Sequence, residues 1–182
     1  MPPNRLMLLH AGTSRPEKGL KDVCNALLSL SDEQLNKVFL LRAGTVDPLD
    51  APSLKRLQQK RAARVMDYFV PENELAMCYA AADWVLLPYR HQKESSGLLI
   101  HAAANVRPVI ASDYGIIGHY VKEHNLGRLF SHCDIESLKR QIAEVIDSGE
   151  HHQWDLSGME KFAHLNSPTA FRRTLIDGWL IA

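Results

Sequence analysis

Two stretches of the chain place small residues, a helix start and a cation in the order that holds an anion. In the first, the apolar run Leu6–Ala11 stops at Gly12-Thr13, and Arg15, Lys18 and Gly19 follow before a helical pattern begins. In the second, Trp84–Pro88 stops at a polar loop, and Ser95-Ser96-Gly97 open an Ala-rich stretch, Leu98–Ala104. A strand, a small-residue turn and a helix leave backbone N–H groups without carbonyl partners at the positive end of the helix dipole. Lys18 adds a full charge. The two serines can cap the second helix, and Gly97 permits close backbone approach. A diphosphate fits these groups, because its two charges need several donors. The implied ligand is a nucleotide or a nucleotide-sugar. The first turn is neither Gly-x-x-x-x-Gly-Lys-Ser/Thr nor Gly-x-Gly-x-x-Gly, since positions 14 and 17 are Ser and Glu. A plainer structural reading stands beside each group: Lys18 as a solvated first-turn lysine, Ser-Ser-Gly as an ordinary cap.

The same stretches resemble a known family. Ser95–Ile100 with Ala102-Ala103-Ala104, then Arg107-Pro108-Val109-Ile110-Ala111-Ser112-Asp113-Tyr114-Gly115, is similar to the donor-site signature of family 4 glycosyltransferases of the GT-B fold. That signature is a Gly-led helix bearing a Glu, followed by Gly-x-Pro-Val-Ile-Ala-Ser. Leu8–Leu20 resembles the family's strand, Gly-rich turn and Lys-Gly helix start. Arg64–Pro71, with Glu74-Leu75-Ala76 and Tyr79–Asp83, resembles its middle. The resemblance runs over roughly residues 5–146.

It implies the C-terminal, donor-binding half of a retaining hexosyltransferase of polysaccharide assembly, using a UDP- or GDP-sugar with no metal and no other cofactor. An N-terminal acceptor-binding domain, its partner in such enzymes, is absent from these residues, so the chain is expected to bind nucleotide without turning over. By the same resemblance Lys18 and Arg15 stabilise the leaving diphosphate. Arg15 stands in for the Arg that often follows the glycine, where this chain has Thr13. Gly12, Thr13, Ser96, Gly97 and Leu98 hold phosphates, and Tyr68 and Val70 flank the base. The family usually carries two glutamates eight positions apart. Counting back from Pro108 places His101 at the ribose glutamate and Lys93 at the sugar glutamate; sliding by one gives Ala102 and Glu94. Neither register supplies both carboxylates. Glu94 is then the group for the sugar, and His101 accepts from a ribose hydroxyl more weakly than a carboxylate would. Two other readings stay open: a degenerate GT-B-like domain serving protein interaction, and another nucleotide-sugar α/β enzyme such as half of an epimerase.

The bulk properties agree with one soluble domain over residues 1–182, with residues 149–182 as a helical extension. The chain has 182 residues, 46% of them hydrophobic, and a formal net charge of +0, so no bulk field recruits nucleic acid. Cys24, Cys78 and Cys133 are too sparse for a disulfide scaffold or a zinc site. No apolar stretch approaches the roughly 20 residues of a spanning helix, and the N-terminus lacks a signal-peptide run. A cytoplasmic location is the expectation.

Elements must now be found that position these groups. Short apolar runs at 6–11, 37–43, 64–69, 84–88, 108–112 and 127–130 alternate with helical patterns at 18–30, 53–61, 71–82, 116–123 and 135–146. That alternation predicts a Rossmann-like three-layer α/β sandwich with a parallel sheet of about six strands. Ligands bind such sheets at the carboxyl ends of the strands, which aligns the loops at Gly12, Gly44, Phe69, Tyr89 and Asp113. Asp113 is expected to cap the helix after it. Further helices at 157–164 and 168–181 carry an apolar stripe, Phe171, Leu175, Trp179 and Leu180, suited to self-association.

Overall fold

The computed structural model describes residues 5–91, 96–148, 154 and 156–180. Six strands form one parallel sheet in the order β3-β2-β1-β4-β5-β6. They are β1 (Leu6–Ala11), β2 (Val38–Ala43), β3 (Ala63–Met66), β4 (Trp84–Leu87), β5 (Val109–Ser112) and β6 (Gly127–Phe130). Central strands of a sheet covered on both faces are apolar at every position, and all of β1 and β4 is buried. Alternate residues of β1 serve opposite faces. Leu6 and Leu8 pack with Leu20, Val23 and Leu27 of α1 (Leu20–Leu28), and with α3 (Ala51–Gln59) and α7 (Ile135–Ser148). Met7, Leu9 and Ala11 pack with α4 (Glu72–Ala81), α5 (Gly97–Ala104), α6 (Gly115–Glu123) and α8 (Leu156–Leu165). The three-layer α/β expectation is met.

The strand order reverses between β1 and β4, so the loops leaving these two strands part to opposite faces and open a crevice between them. Two close approaches set its floor. Gly19, with φ of +67°, lies so near Pro88 that a Cβ there would collide with the Pro88 carbonyl oxygen. Gly44, with φ of +127°, lies as near the carbonyl oxygen of Gly12. A side chain at either position would force the turns apart. Arg90 closes the far side, donating to both carboxylate oxygens of buried Asp22 at 2.6 Å each, which ties the loop after β4 to the first turn of α1.

Several elements differ from the sequence reading. The helix expected over 18–30 is split: Pro16–Lys18 is a 3-10 turn, Gly19 is left-handed, and α1 starts at Leu20. A short helix, α2 (Asp32–Lys37), was not foreseen; Ser31 caps it by accepting from the Gln34 N–H at 3.1 Å. β3 ends at Met66 rather than at Phe69, because the Asp67 carboxylate accepts the Val46 N–H at 2.8 Å and turns the chain out of the ladder. Asp113 does not cap α6. Its carboxylate accepts the His132 N–H at 2.8 Å, holding the loop after β6 instead. Cys24 and Cys78 are buried in the core, as expected, and Cys133 is exposed. The last helix, α9 (Pro168–Leu180), packs on α8 and leaves Phe171, Leu175 and Ile176 exposed. The side chains of Trp179 and Leu180 lie outside the described residues.

α5 ends in a left-handed residue that is not glycine. Arg107 N–H reaches Ala102 O at 2.9 Å and Val106 N–H reaches Ala103 O at 3.0 Å, the paired bonds of a Schellman end, with Val106 at φ of +54°. A Cβ-bearing residue there costs roughly 1–2 kcal/mol, and a β-branched one is the worst fit. Val106 is only half-buried, so little packing offsets the strain. Val106→Gly is therefore expected to raise stability by about 1 kcal/mol, shifting Tm up by roughly 2–4 °C. Thermal and urea unfolding of the two proteins check this; an unchanged or lowered midpoint counts against it.

Candidate functional site

Site geometry begins at β2. Arg42 interrupts an otherwise apolar strand, and its side chain is fully buried. Its guanidinium donates to four carbonyl oxygens: His10 at 3.2 Å, Ala43 at 2.6 Å, Gly12 at 2.5 Å and Thr45 at 2.7 Å. Burial pulls its pKa down to about 10, so the group stays charged at neutral pH. The fork joins the turn after β1 to the turn after β2. Beside it Ser14 donates to the buried carboxylate of Asp50 at 2.5 Å. Gly12 N–H donates to Ala43 O at 2.9 Å, and Ser14 N–H to Thr45 O at 2.9 Å. Thr13, between them, is exposed, and its N–H has no acceptor among the described residues.

Lys18 ends the 3-10 turn, half-buried, with Nζ 3.9 Å from the centre of the Tyr89 ring. Burial lowers its pKa, Glu17 raises it in part, and Arg15 lowers it further. A cation over an aromatic face is held by the ring quadrupole. Tyr89 is itself buried, its phenol pushed up to about 12 by that burial, and its hydroxyl lies 3.1 Å from the Ser96 hydroxyl. Lys18, Tyr89 and Ser96 thus form one chain across the crevice. Ser96 flanks α5 but does not cap it with its side chain, contrary to expectation; the buried hydroxyl is committed to Tyr89. Gly97 and Leu98 N–H, in the first turn of α5, have no acceptors among the described residues. A Cβ on Gly12 would sit 3.4 Å from the Leu98 side chain, so the two turns face each other.

Of the sequence-derived residues, the structure brings together Gly12, Thr13, Lys18, Ser96, Gly97 and Leu98. Arg15 is nearby but exposed, 4.0 Å from Glu17. His101 is exposed one turn further along α5, stacked on Tyr79 with ring centres 5.9 Å apart. Tyr68 and Val70 follow β3, the edge strand, two strands from β1. Tyr68 is exposed and donates to Glu74 at 2.6 Å, Phe69 is exposed, and Val70 packs partly on the core. Glu94, with Lys93 and Ser95, lies outside the described residues. Among the described residues no three His, Cys, Asp or Glu side chains converge as a metal site would, and no helix is long and apolar enough to cross a membrane. Sequence reasoning missed Arg42, Tyr89 and His10. The signal for Arg42 was there, a lone charge inside Val38–Ala43 just before Gly44. Tyr89 and His10 carried none.

Three N–H groups without acceptors among the described residues and a lysine ammonium thus lie on the two turns, groups of the kind that bind anions. Residues 1–155 match the family model for glycosyl transferases group 1. A GDP-mannose:glycolipid 4-beta-D-mannosyltransferase of Xanthomonas campestris pv. campestris is 31% identical over 104 residues, 57% of this chain and 29% of that enzyme. The match thus covers 29% of the length of the curated relatives, well under half. HepE from Anabaena, solved in complex with UDP, superposes with a TM-score of 0.75 at 17% identity, over 97% of this chain and 49% of HepE. The C-terminal domain of the group 1 glycosyl transferase LpcC from Francisella tularensis superposes with a TM-score of 0.71 at 17% identity, over 90% and 87% of the two chains.

His10 makes the site sensitive to acid. It is buried, its Nε2 lies 3.2 Å from Lys18 O, and Nδ1 has no partner among the described residues. Because a carbonyl only accepts, Nε2 is the nitrogen that carries a proton towards Lys18 O. Burial, with Arg42 close by, holds its pKa down at about 3, against 6.5 ordinarily. The unfolded chain thus binds a proton that the folded chain refuses between these values. Stability is full above pH 6.5 and falls as pH drops towards 3, by up to about 1.4 kcal/mol per unit from this group. His10→Gln keeps a donor for Lys18 O and is expected to flatten that slope in urea unfolding from pH 7 to 4. Equal slopes for both proteins would remove His10 as the cause.

Proposed function

Because this chain belongs to the group 1 glycosyl transferases, we propose that it is the donor-binding half of a retaining hexosyltransferase, with a UDP- or GDP-sugar in the crevice between β1 and β4. The observation that supports this reading is the junction of the two turns: the Gly12 turn meets Leu98 of α5, and Lys18 is linked to the start of the same helix through Tyr89 and Ser96. As the sugar leaves, negative charge grows on the diphosphate. Preorganised donors and a cation meet that charge without reorganising, which is commonly the largest catalytic contribution. Lys18 supplies the full charge in this reading, Arg15 a second from the rim, and Glu94 the contact to the sugar. Tyr68 and Val70 border the base, and His101 accepts from the ribose. The acceptor belongs to a further domain, since the relatives are longer than this chain. UDP in the HepE complex and GDP-mannose as the substrate named for the Xanthomonas enzyme support the two candidate bases equally.

The phosphate assignment is checked by calorimetry with UDP, GDP and their nucleosides. Hydrogen bonds to charged groups are worth roughly 1.5–3 kcal/mol. Lys18→Ala is therefore expected to weaken diphosphate binding about ten- to hundredfold while leaving nucleoside binding in place. EDTA should change nothing. Dependence on a divalent ion, or an indifferent Lys18→Ala, would place the diphosphate elsewhere.

A second reading, of protein interaction, draws on α9, where Phe171, Leu175 and Ile176 are 67%, 48% and 51% exposed. On it, the chain self-associates through this face. Sedimentation at rising concentration should show a dimer that Phe171→Ser with Leu175→Ser abolishes. A monomer at every concentration ends that reading.

A further inference from the structure

We propose that Arg42 is a positioning residue for the bound anion, aiming the Thr13 N–H into the crevice and placing a positive charge behind it. The inference rests on the donor-binding reading only for the identity of the anion. A buried guanidinium is normally matched by a carboxylate. This one touches only carbonyls, and Asp50 and Asp67 act on it from a distance. Its charge is therefore not cancelled by contact.

The geometry also has a direction. In a trans peptide the carbonyl of one residue and the N–H of the next point opposite ways. Arg42 draws four carbonyls inward, so the four following N–H groups turn away from it. Three of them have evident places. The Ala11 N–H turns to the β4 side of β1, opposite the Gly12 N–H that meets Ala43 O on β2; Gly44 donates to Met66 O at 3.0 Å, and Val46 donates to Asp67 at 2.8 Å. The fourth is Thr13, exposed and without an acceptor among the described residues. Gly12, at φ of +90°, turns the chain here, and the Leu98 side chain of α5 lies 3.4 Å from where a Gly12 Cβ would be, so α5 is the element this turn meets. Arg42 reaches no ligand itself. It acts through the Gly12–Thr13 peptide and through its field.

The test compares wild type, Arg42→Lys and Arg42→Met with UDP, GDP, uridine, guanosine and inorganic pyrophosphate by calorimetry. Arg42→Met is expected to lose tenfold or more for every phosphate ligand and less than twofold for the nucleosides; Arg42→Lys, which keeps the charge and loses the fork, should fall between. In the wild-type chain, pyrophosphate should shift the Thr13 amide resonance far more than that of Gly12, whose N–H is already bonded to Ala43 O. That measurement and Arg42→Lys decide the matter if Arg42→Met does not fold. Equal losses for nucleosides and diphosphates, unchanged diphosphate affinity in both variants, or an unmoved Thr13 amide overturn the proposal. Wild type that binds pyrophosphate but neither nucleotide, with the Arg42 dependence intact, removes the nucleotide-sugar reading and leaves the Arg42 role standing.

Discussion

One buried guanidinium holds the site end of this sheet together. Two parallel strands that stop side by side leave carbonyls at their ends with no next residue in the ladder to serve. In β1 and β2 those carbonyls converge on Arg42, which offers its donors in a rigid planar fork. Burying the charge is costly, and only several good hydrogen bonds together make it tolerable. The contact of Gly44 on Gly12 and the exposure of Thr13 go with where that group sits, and its charge adds to burial in keeping His10 neutral.

The crevice itself owes its place to topology. A sheet ordered 3-2-1-4-5-6 must send the chain to opposite faces after β1 and β4, and the space between those exits cannot be filled by either helix. What remains is to hold two loops at a fixed separation. Gly19 against Pro88, Arg90 on Asp22, and the run from Lys18 over Tyr89 to Ser96 perform that task with three different forces: steric contact, a bidentate ion pair and a cation on a ring. The result is a turn after β1 that faces the start of α5, on a domain that matches about half of a longer HepE chain.

How much of this was legible beforehand differed by element. β1 and β4 announce themselves because strands buried on both faces read as unbroken apolar runs, and β2 does so with Arg42 as its single break. β3 is an edge strand with weaker burial, and its end was misjudged: Tyr68 and Phe69 look like strand residues by propensity but stand in solvent. The Lys18 turn was placed correctly in the chain but given the wrong conformation, since helical spacing does not register a single left-handed glycine between a 3-10 turn and a helix. Ser96 has the composition of a cap, yet a buried phenol claims its hydroxyl.

The sequence alone determined the architecture, the order of its elements and the two turns that face the crevice, because these depend on periodicity and on small residues at defined points along the chain. Tertiary structure alone decided which partners those turns meet. Arg42 and Gly12 are thirty residues apart, and Lys18 and Tyr89 more than seventy. Nothing in local spacing couples them. They become neighbours only when β2 docks on one side of β1 and β4 on the other, and at that point a charge in a strand becomes the support of a turn and a buried tyrosine becomes the seat of a lysine.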